Sequence, residues 1–333
     1  ILYSRDFKYG ETKEIRLYGL DGKDYFQING QGKKGIKLRI IGGKGNDSIV
    51  DNSKVSGLGK KTFVYDRKDK KNEIVKSSET KLHLSKNKSI NTYNRKQFHH
   101  NKTIPAVAGG YNIDDGIFIR GGVNINRYNF RDSTFHKIRG TLAFQTGAFG
   151  ISYEGLFTSI SQILDMEINA SVSFPLNVDN FYGLGNDTKK ITKSKKYYRV
   201  RYSYAWFNPM LKHTVSSNFH YSFGAFYQYF KVTDTANRFI GDAYPKVLDS
   251  STYLAHHYTG AQALYKLDTR DNDVMPTRGI VWETQAQGFY SISDKGENFI
   301  KIRSDLSFYL SFRKDPRVVF ALRFGGAANI GDY

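Results

Sequence analysis

The sequence predicts an all-β membrane protein, a transmembrane antiparallel β-barrel preceded by a small β domain. Three observations predict it. From Thr103 onward, apolar and polar residues alternate with a period of two, in runs near the roughly 9–11 residues that cross a bilayer as a tilted strand. Aromatic residues make up 15% of the chain and crowd the ends of those runs, as interface girdles do. No apolar run is long enough for a transmembrane helix, and the mean hydropathy of −0.53 suits a barrel, in which only alternate residues touch lipid.

Residues 1–66 read as a β-rich domain with an internal repeat. Ile15-Arg16-Leu17-Tyr18-Gly19 precedes Gly22, Asp24 and Phe26, and 23 residues later Leu38-Arg39-Ile40-Ile41-Gly42 precedes Gly45, Asp47 and Ile49. Each copy is an apolar strand, a Gly-x-x-Gly-x-Asp turn and a second short strand. Glycine supplies the tight turn and Asp accepts from its backbone N–H groups. GGKGNDSIV also matches the calcium-binding nonapeptide of β-rolls, in which neighbouring turns share each ion. With two copies spaced by 23 residues no roll is expected to stack. Asp24 and Asp47 are therefore calcium candidates that we expect to be structural, with no cofactor. Residues 67–102, with KDKKNEIVK and KNKSINTYNRK, read as a basic linker or weakly ordered strands.

The alternation from 103 to 333 divides into eleven strands: 103–111, 116–128, 135–147, 149–159, 163–175, 197–207, 214–231, 253–268, 280–292, 298–313 and 317–328. Ile168, Val172, Ile302 and Leu306 are placed toward lipid, and Glu167, Ser171, Arg303 and Asp305 toward the lumen. Tyr198, Val200, Tyr202, Tyr204 and Trp206 are likewise placed outward, leaving Arg199 and Arg201 to line the lumen with Lys301, Arg303 and Arg323. In the first strand Pro105 removes a ladder donor and Gly109-Gly110, before Tyr111, weakens packing. That reads either as a weak edge or as a short strand that simply starts the sheet.

Between the eighth and ninth strands lies DTRDNDVMPTRG, Asp268 to Gly279, too charged to sit anywhere but water. By pattern alone it is a polar hairpin turn. Its D-x-R-D (Asp268, Arg270, Asp271) followed by P-T-x-G (Pro276, Thr277, Arg278, Gly279) resembles the periplasmic turn before the ninth strand of outer-membrane assembly barrels of the BamA/TamA type. AVAGGYNIDDGIFIRGGVNI resembles that family's first hairpin, and NFYGLGNDT an outer loop of its superfamily. Together these cover about residues 103–333. A periplasmic turn at 269–279 puts connections 112–115, 148, 176–196, 232–252 and 293–297 outside. It puts 129–134, 160–162, 208–213 and 314–316 on the periplasmic side. Both longest connections then fall outside, as outer-membrane barrels require.

The resemblance implies a bacterial outer-membrane protein that inserts or exports other proteins through a lateral seam between its first and last strands. It implies sixteen strands, so the eleven here are expected to be completed from the same gene or by accessory envelope proteins. It also implies outer-membrane lipids and exported or outer-membrane proteins as partners. It places the repeat domain in the periplasm, although that domain does not resemble the POTRA modules that usually precede such barrels. No signal peptide opens the chain, so a mature or internal piece is expected.

The net charge of +19 raises nucleic acid as a partner. The charges are dispersed or alternate within strands, however, and no nucleic-acid partner is expected. With no cysteine, disulfides and thiolate chemistry are excluded. No nucleophile elbow, HExxH or phosphate loop occurs, so an enzyme is not expected. A passive anion-selective channel and a soluble calcium-binding β protein remain the alternatives.

Overall fold

The computed structural model describes residues 2–331 except 58, 97, 114, 162, 186–193, 244, 245, 247, 294, 295, 314 and 315, and leaves the side chains of 175 and 176 undescribed. Asn186–Thr188 of the loop motif, and 189–193 of the basic stretch after it, therefore lie outside the described residues. The chain forms two compact units, residues 1–98 and 99–333.

The first unit is a stack of parallel rungs. Strands β1 (Glu14–Tyr18), β2 (Tyr25–Ile28) and β3 (Gln31–Gly32) make one rung, and β4 (Lys37–Ile41), β5 (Ser48–Asp51) and β6 (Lys54–Val55) the next. β7 (Thr62–Arg67) with β8 (Glu73–Val75), then β9 (Thr80–Ser85), continue the stack before a 3₁₀ turn at Lys88–Asn91. Parallel ladders join β1-β4-β7-β9, β2-β5-β8 and β3-β6. Leu17 thus lies beside Ile40, and Ile40 beside Val64. The rungs close on Ile40, Ile49 and Val64, all 0% exposed, with Phe26, Ile28, Leu38 and Ile74 packed around them.

Two expectations are corrected here. The 23-residue repeats do stack, because a parallel solenoid needs only matching strand lengths in successive rungs, not nine-residue turns. The domain also runs past residue 66. β8 and β9, inside the stretch read as a basic linker or weakly ordered strands, add to both parallel sheets, since apolar Ile74 and Leu82 continue columns that basic neighbours disguise in the sequence.

The second unit is an antiparallel sheet of eleven sequential neighbours. Its strands are β10 (Lys102–Asn112), β11 (Gly116–Tyr128), β12 (Ser133–Ala143), β13 (Phe149–Phe157), β14 (Asp165–Asn180) and β15 (Arg199–Ser216). They continue as β16 (Phe219–Thr233), β17 (Ala255–Asp268), β18 (Gly279–Ser291), β19 (Phe299–Leu310) and β20 (Phe320–Gly331). All eleven expected strands are present. The expected connection at 208–213 is not: β15 runs through Asn208 and Pro209, and the turn comes at 217–218. The β15–β16 ladder skips those two residues and resumes at Met210 in the same register, so proline's missing N–H costs a rung without ending the strand.

One face of this sheet is concave, because side chains two strands apart meet on it. Gln262 on β17 bonds Asn208 on β15, and Phe226 on β16 packs 4.7 Å from Phe289 on β18. A Cβ on Gly260 would strike the Gly288 carbonyl first, at 1.8 Å, and then the Phe226 ring at 2.9 Å, so glycine makes room for both. Short helices α1 (Lys195–Tyr198) and α2 (Phe239–Ala243) lie in the two long connections. There Ile240 packs on Val200 and Val232 with Phe181, Leu248 and Tyr253, which caps that end of β15 and β16.

Candidate functional site

The turn from Asp268 to Gly279 is held by its own side chains. Arg270 donates to Asp268 Oδ1 at 2.9 Å and Oδ2 at 2.6 Å, and to the Asp273 carbonyl at 3.1 Å. Asp271 Oδ1 accepts from the Thr277 N–H at 2.8 Å and the Arg278 N–H at 3.1 Å, while the Thr277 hydroxyl donates to Oδ2 at 2.5 Å. These donors, the Thr277 hydroxyl foremost, hold the Asp271 carboxyl down at about 2. Pro276 precedes this clasp. Gly279 ends the turn at φ 107°, a conformation side chains resist, and Arg278 Nε donates to Ser311 Oγ at 2.9 Å. Val274 and Met275 stand out at the tip, 87% and 77% exposed. The motif residues thus lock a rigid hairpin, and its acids are consumed internally.

β10 is one edge of the sheet. It bonds β11 along its whole length, with Pro105 opposite Val123, Gly109 opposite Ile119, Gly110 opposite Phe118 and Tyr111 opposite Ile117. A Cβ on Gly110 would lie 2.7 Å from the Phe118 ring, so the ring covers the strand there. Val107 is 83% exposed. β20, the other edge, is exposed at every residue.

Of the lumen charges, Arg303, Arg323 and Lys301 share the concave face with Gln285 and Gln287. Asp305 takes Arg303 at 2.9 Å and Arg323 at 2.5 Å, and Lys301 stands opposite Gln287. Arg201 is a correction. From 201 to 214 the β15–β16 register is continuous, so Arg201 shares the convex parity of Ser203, Ala205 and Phe207. Tyr202, Tyr204 and Trp206, expected to face lipid, are on the concave parity with Asn208 and Lys212. Lys212 bonds Glu167 at 3.0 Å there. The alternation of aromatic and basic residues had been read as apolar against polar, but a tyrosine faces a polar interior readily because its hydroxyl finds partners. Arg199, at the start of β15, donates to the Ile113 carbonyl between β10 and β11 at 3.2 Å.

Sequence reasoning missed a cavity of about 400 Å³ on the concave face, lined by Arg120, Arg139, Ser152, Ser171, Asn177 and Tyr204 among others. The signal was present: Arg120, Gly122 and Asn124 alternate with Ile119, Gly121 and Val123. Among the described residues, no group of three or more His, Asp or Glu side chains forms a metal site.

Among curated proteins, none matches this sequence. The fold is similar to the crystal structure of BamA from Haemophilus ducreyi lacking POTRA domains 1-3. The TM-score is 0.52 at 13% identity, over 70% of this chain and 42% of that one. This chain therefore spans less than half the length of that protein. A family model described as the Omp85 superfamily domain matches residues 120–331, from the second strand of the sheet to its last. With that match running through ten consecutive antiparallel strands, this chain belongs to the Omp85 superfamily.

Proposed function

We propose that this chain is part of a bacterial outer-membrane protein that inserts or exports other proteins through a seam at β10. The observation that carries the reading is β10 itself, the first edge of this chain's eleven-stranded sheet. A substrate strand adding there would satisfy the N–H and C=O groups on its free side, which cannot stay unpaired in hydrocarbon. Pro105 and Gly109-Gly110 keep that edge a poor competitor for its own closing strand. The 269–279 hairpin and the solenoid lie in the periplasm, and the capped connections after β14 and β16 lie outside. Lipids and client barrel or exported proteins are the partners, and no catalytic chemistry is assigned.

The test is depletion combined with a photo-crosslinker at Val107. We expect the levels of other outer-membrane barrels or exported proteins to fall several-fold, with nascent client strands crosslinked at Val107. Unchanged levels, no crosslink and steady ion conductance from the purified protein would establish a passive channel instead.

A further inference from the structure

The turns of the solenoid bring buried carboxylates together. By register, the strand-end positions Gly19, Gly42 and Asp66 follow one another up the stack, as do the turn positions Asp24, Asp47 and Asn72. Asp66 is 0% exposed and Asp47 2%. Each has one oxygen tied down. Asp47 Oδ1 accepts from the Asp24 N–H at 3.0 Å, and Asp66 Oδ1 accepts from the Arg67 N–H at 2.7 Å and from Asn91 Nδ2 at 2.9 Å.

The other oxygen of each is buried with no hydrogen-bond partner. Both point at one place. A Cβ built on Gly42 would stand 2.5 Å from Asp47 Oδ2 and closer still to Asp66 Oδ2. One rung away a related arrangement lies over Gly19, where a Cβ would stand 2.7 Å from Asp24 Oδ2, also buried and unpartnered, and closer still to the Gly42 carbonyl. Glycine at 19 and 42 makes the room that these oxygens occupy.

This domain satisfies a buried carboxylate when nothing else is to bind it. Asp51 is 1% exposed, yet its Oδ1 accepts from the Ser53 N–H and hydroxyl at 2.9 and 2.6 Å, and its Oδ2 from Thr80 at 2.7 Å. Asp47 and Asp66 lack such completion, and the cost of burying an unpaired anion is several kcal/mol. Burial pushes both carboxyls up, and each is raised further by its acidic neighbour, Asp24 for Asp47 and Asp47 for Asp66. A cation between them would remove that conflict.

We propose that Asp47 and Asp66 hold a calcium ion over Gly42, with backbone carbonyls of the stacked turns and water completing its shell. Two carboxylates and peptide carbonyls are hard oxygen donors in an irregular array. That suits calcium, which accepts six to eight ligands flexibly, better than magnesium, which demands a near-octahedral shell and dehydrates reluctantly. The ion also bridges rungs, since Asp47 belongs to the second and Asp66 to the third. This reverses the sequence expectation of a purely structural turn, whose premise was that no neighbouring turn could share the ion.

The experiment uses the whole chain in detergent micelles, stripped with chelator. Terbium should luminesce when excited through tyrosine, Tyr65 being adjacent to Asp66, and calcium should displace it with an affinity on the order of 0.1–1 mM or tighter. Calcium should slow amide exchange in residues 42–48 and 62–72. Asp47→Asn or Asp66→Asn should weaken calcium by about tenfold or more. Asp21→Asn, whose exposed carboxylate pairs with Lys44 at 3.1 Å, should leave it unchanged. The terbium and exchange readouts on the unmutated protein stand even where a variant fails to fold. No tyrosine-sensitised luminescence, no calcium effect on exchange in those segments, or magnesium binding as well as calcium would overturn the proposal.

Discussion

Leu306→Arg is expected to destabilise the barrel by about 2–4 kcal/mol, measured by reversible folding into lipid vesicles. Leu306 lies near the middle of β19, between Trp282 on β18 and Phe324 on β20, on the convex face that carries Ile302 and Phe308. A guanidinium there must be dragged into hydrocarbon or must pull water and headgroups inward, and either deformation costs free energy. Lys301→Arg, on the opposite face of the same strand, should change stability by less than about 0.5 kcal/mol. Equal effects at the two positions would mean that the sheet does not separate lipid from lumen.

Ile40→Ala should cost the solenoid about 2–5 kcal/mol, read as a lower urea midpoint for the transition of residues 1–98 in the intact protein. Ile40 is fully enclosed by Ile49, Val64 and their neighbours, and parallel rungs cannot close over the lost methylene groups without shifting a ladder on each side. Leu82→Ala, in the outermost rung and partly exposed, should cost much less.

How far the sequence revealed this fold depends on how regular each element's period is. The eleven strands were legible because inward and outward residues differ chemically at nearly every step, as in Ile300 to Leu306 against Lys301 to Asp305. β15 was misread where that difference fails. Its concave face is tyrosine and tryptophan, its convex face carries Arg201 and Ser203, and Asn208-Pro209 imitates a turn. In the solenoid, two rungs announce themselves by Gly-x-x-Gly-x-Asp, but the third substitutes Asp66 for the glycine and Asn72 for the aspartate. That substitution hid the third rung and is also what creates the paired carboxylates. The Asp268–Gly279 hairpin was legible as a polar turn, although its internal ion pairs and the contact of Arg278 with Ser311, at the end of the neighbouring strand, have no sequence signal. The alternation around Arg120 marked a polar inner face, but the cavity beside Arg120 and Arg139 needs five strands in register and does not follow from any one of them.

These strands form a membrane-spanning wall with one face in lipid and the other lining an interior. Single cysteines, introduced into this cysteine-free chain and labelled with a membrane-impermeant thiol reagent, test it most directly. Cysteine at Glu167, Ser171, Arg303 or Asp305 should be modified in intact outer membranes, and cysteine at Ile168, Val172, Ile302 or Leu306 should be spared. Labelling of the second set in place of the first would contradict the account.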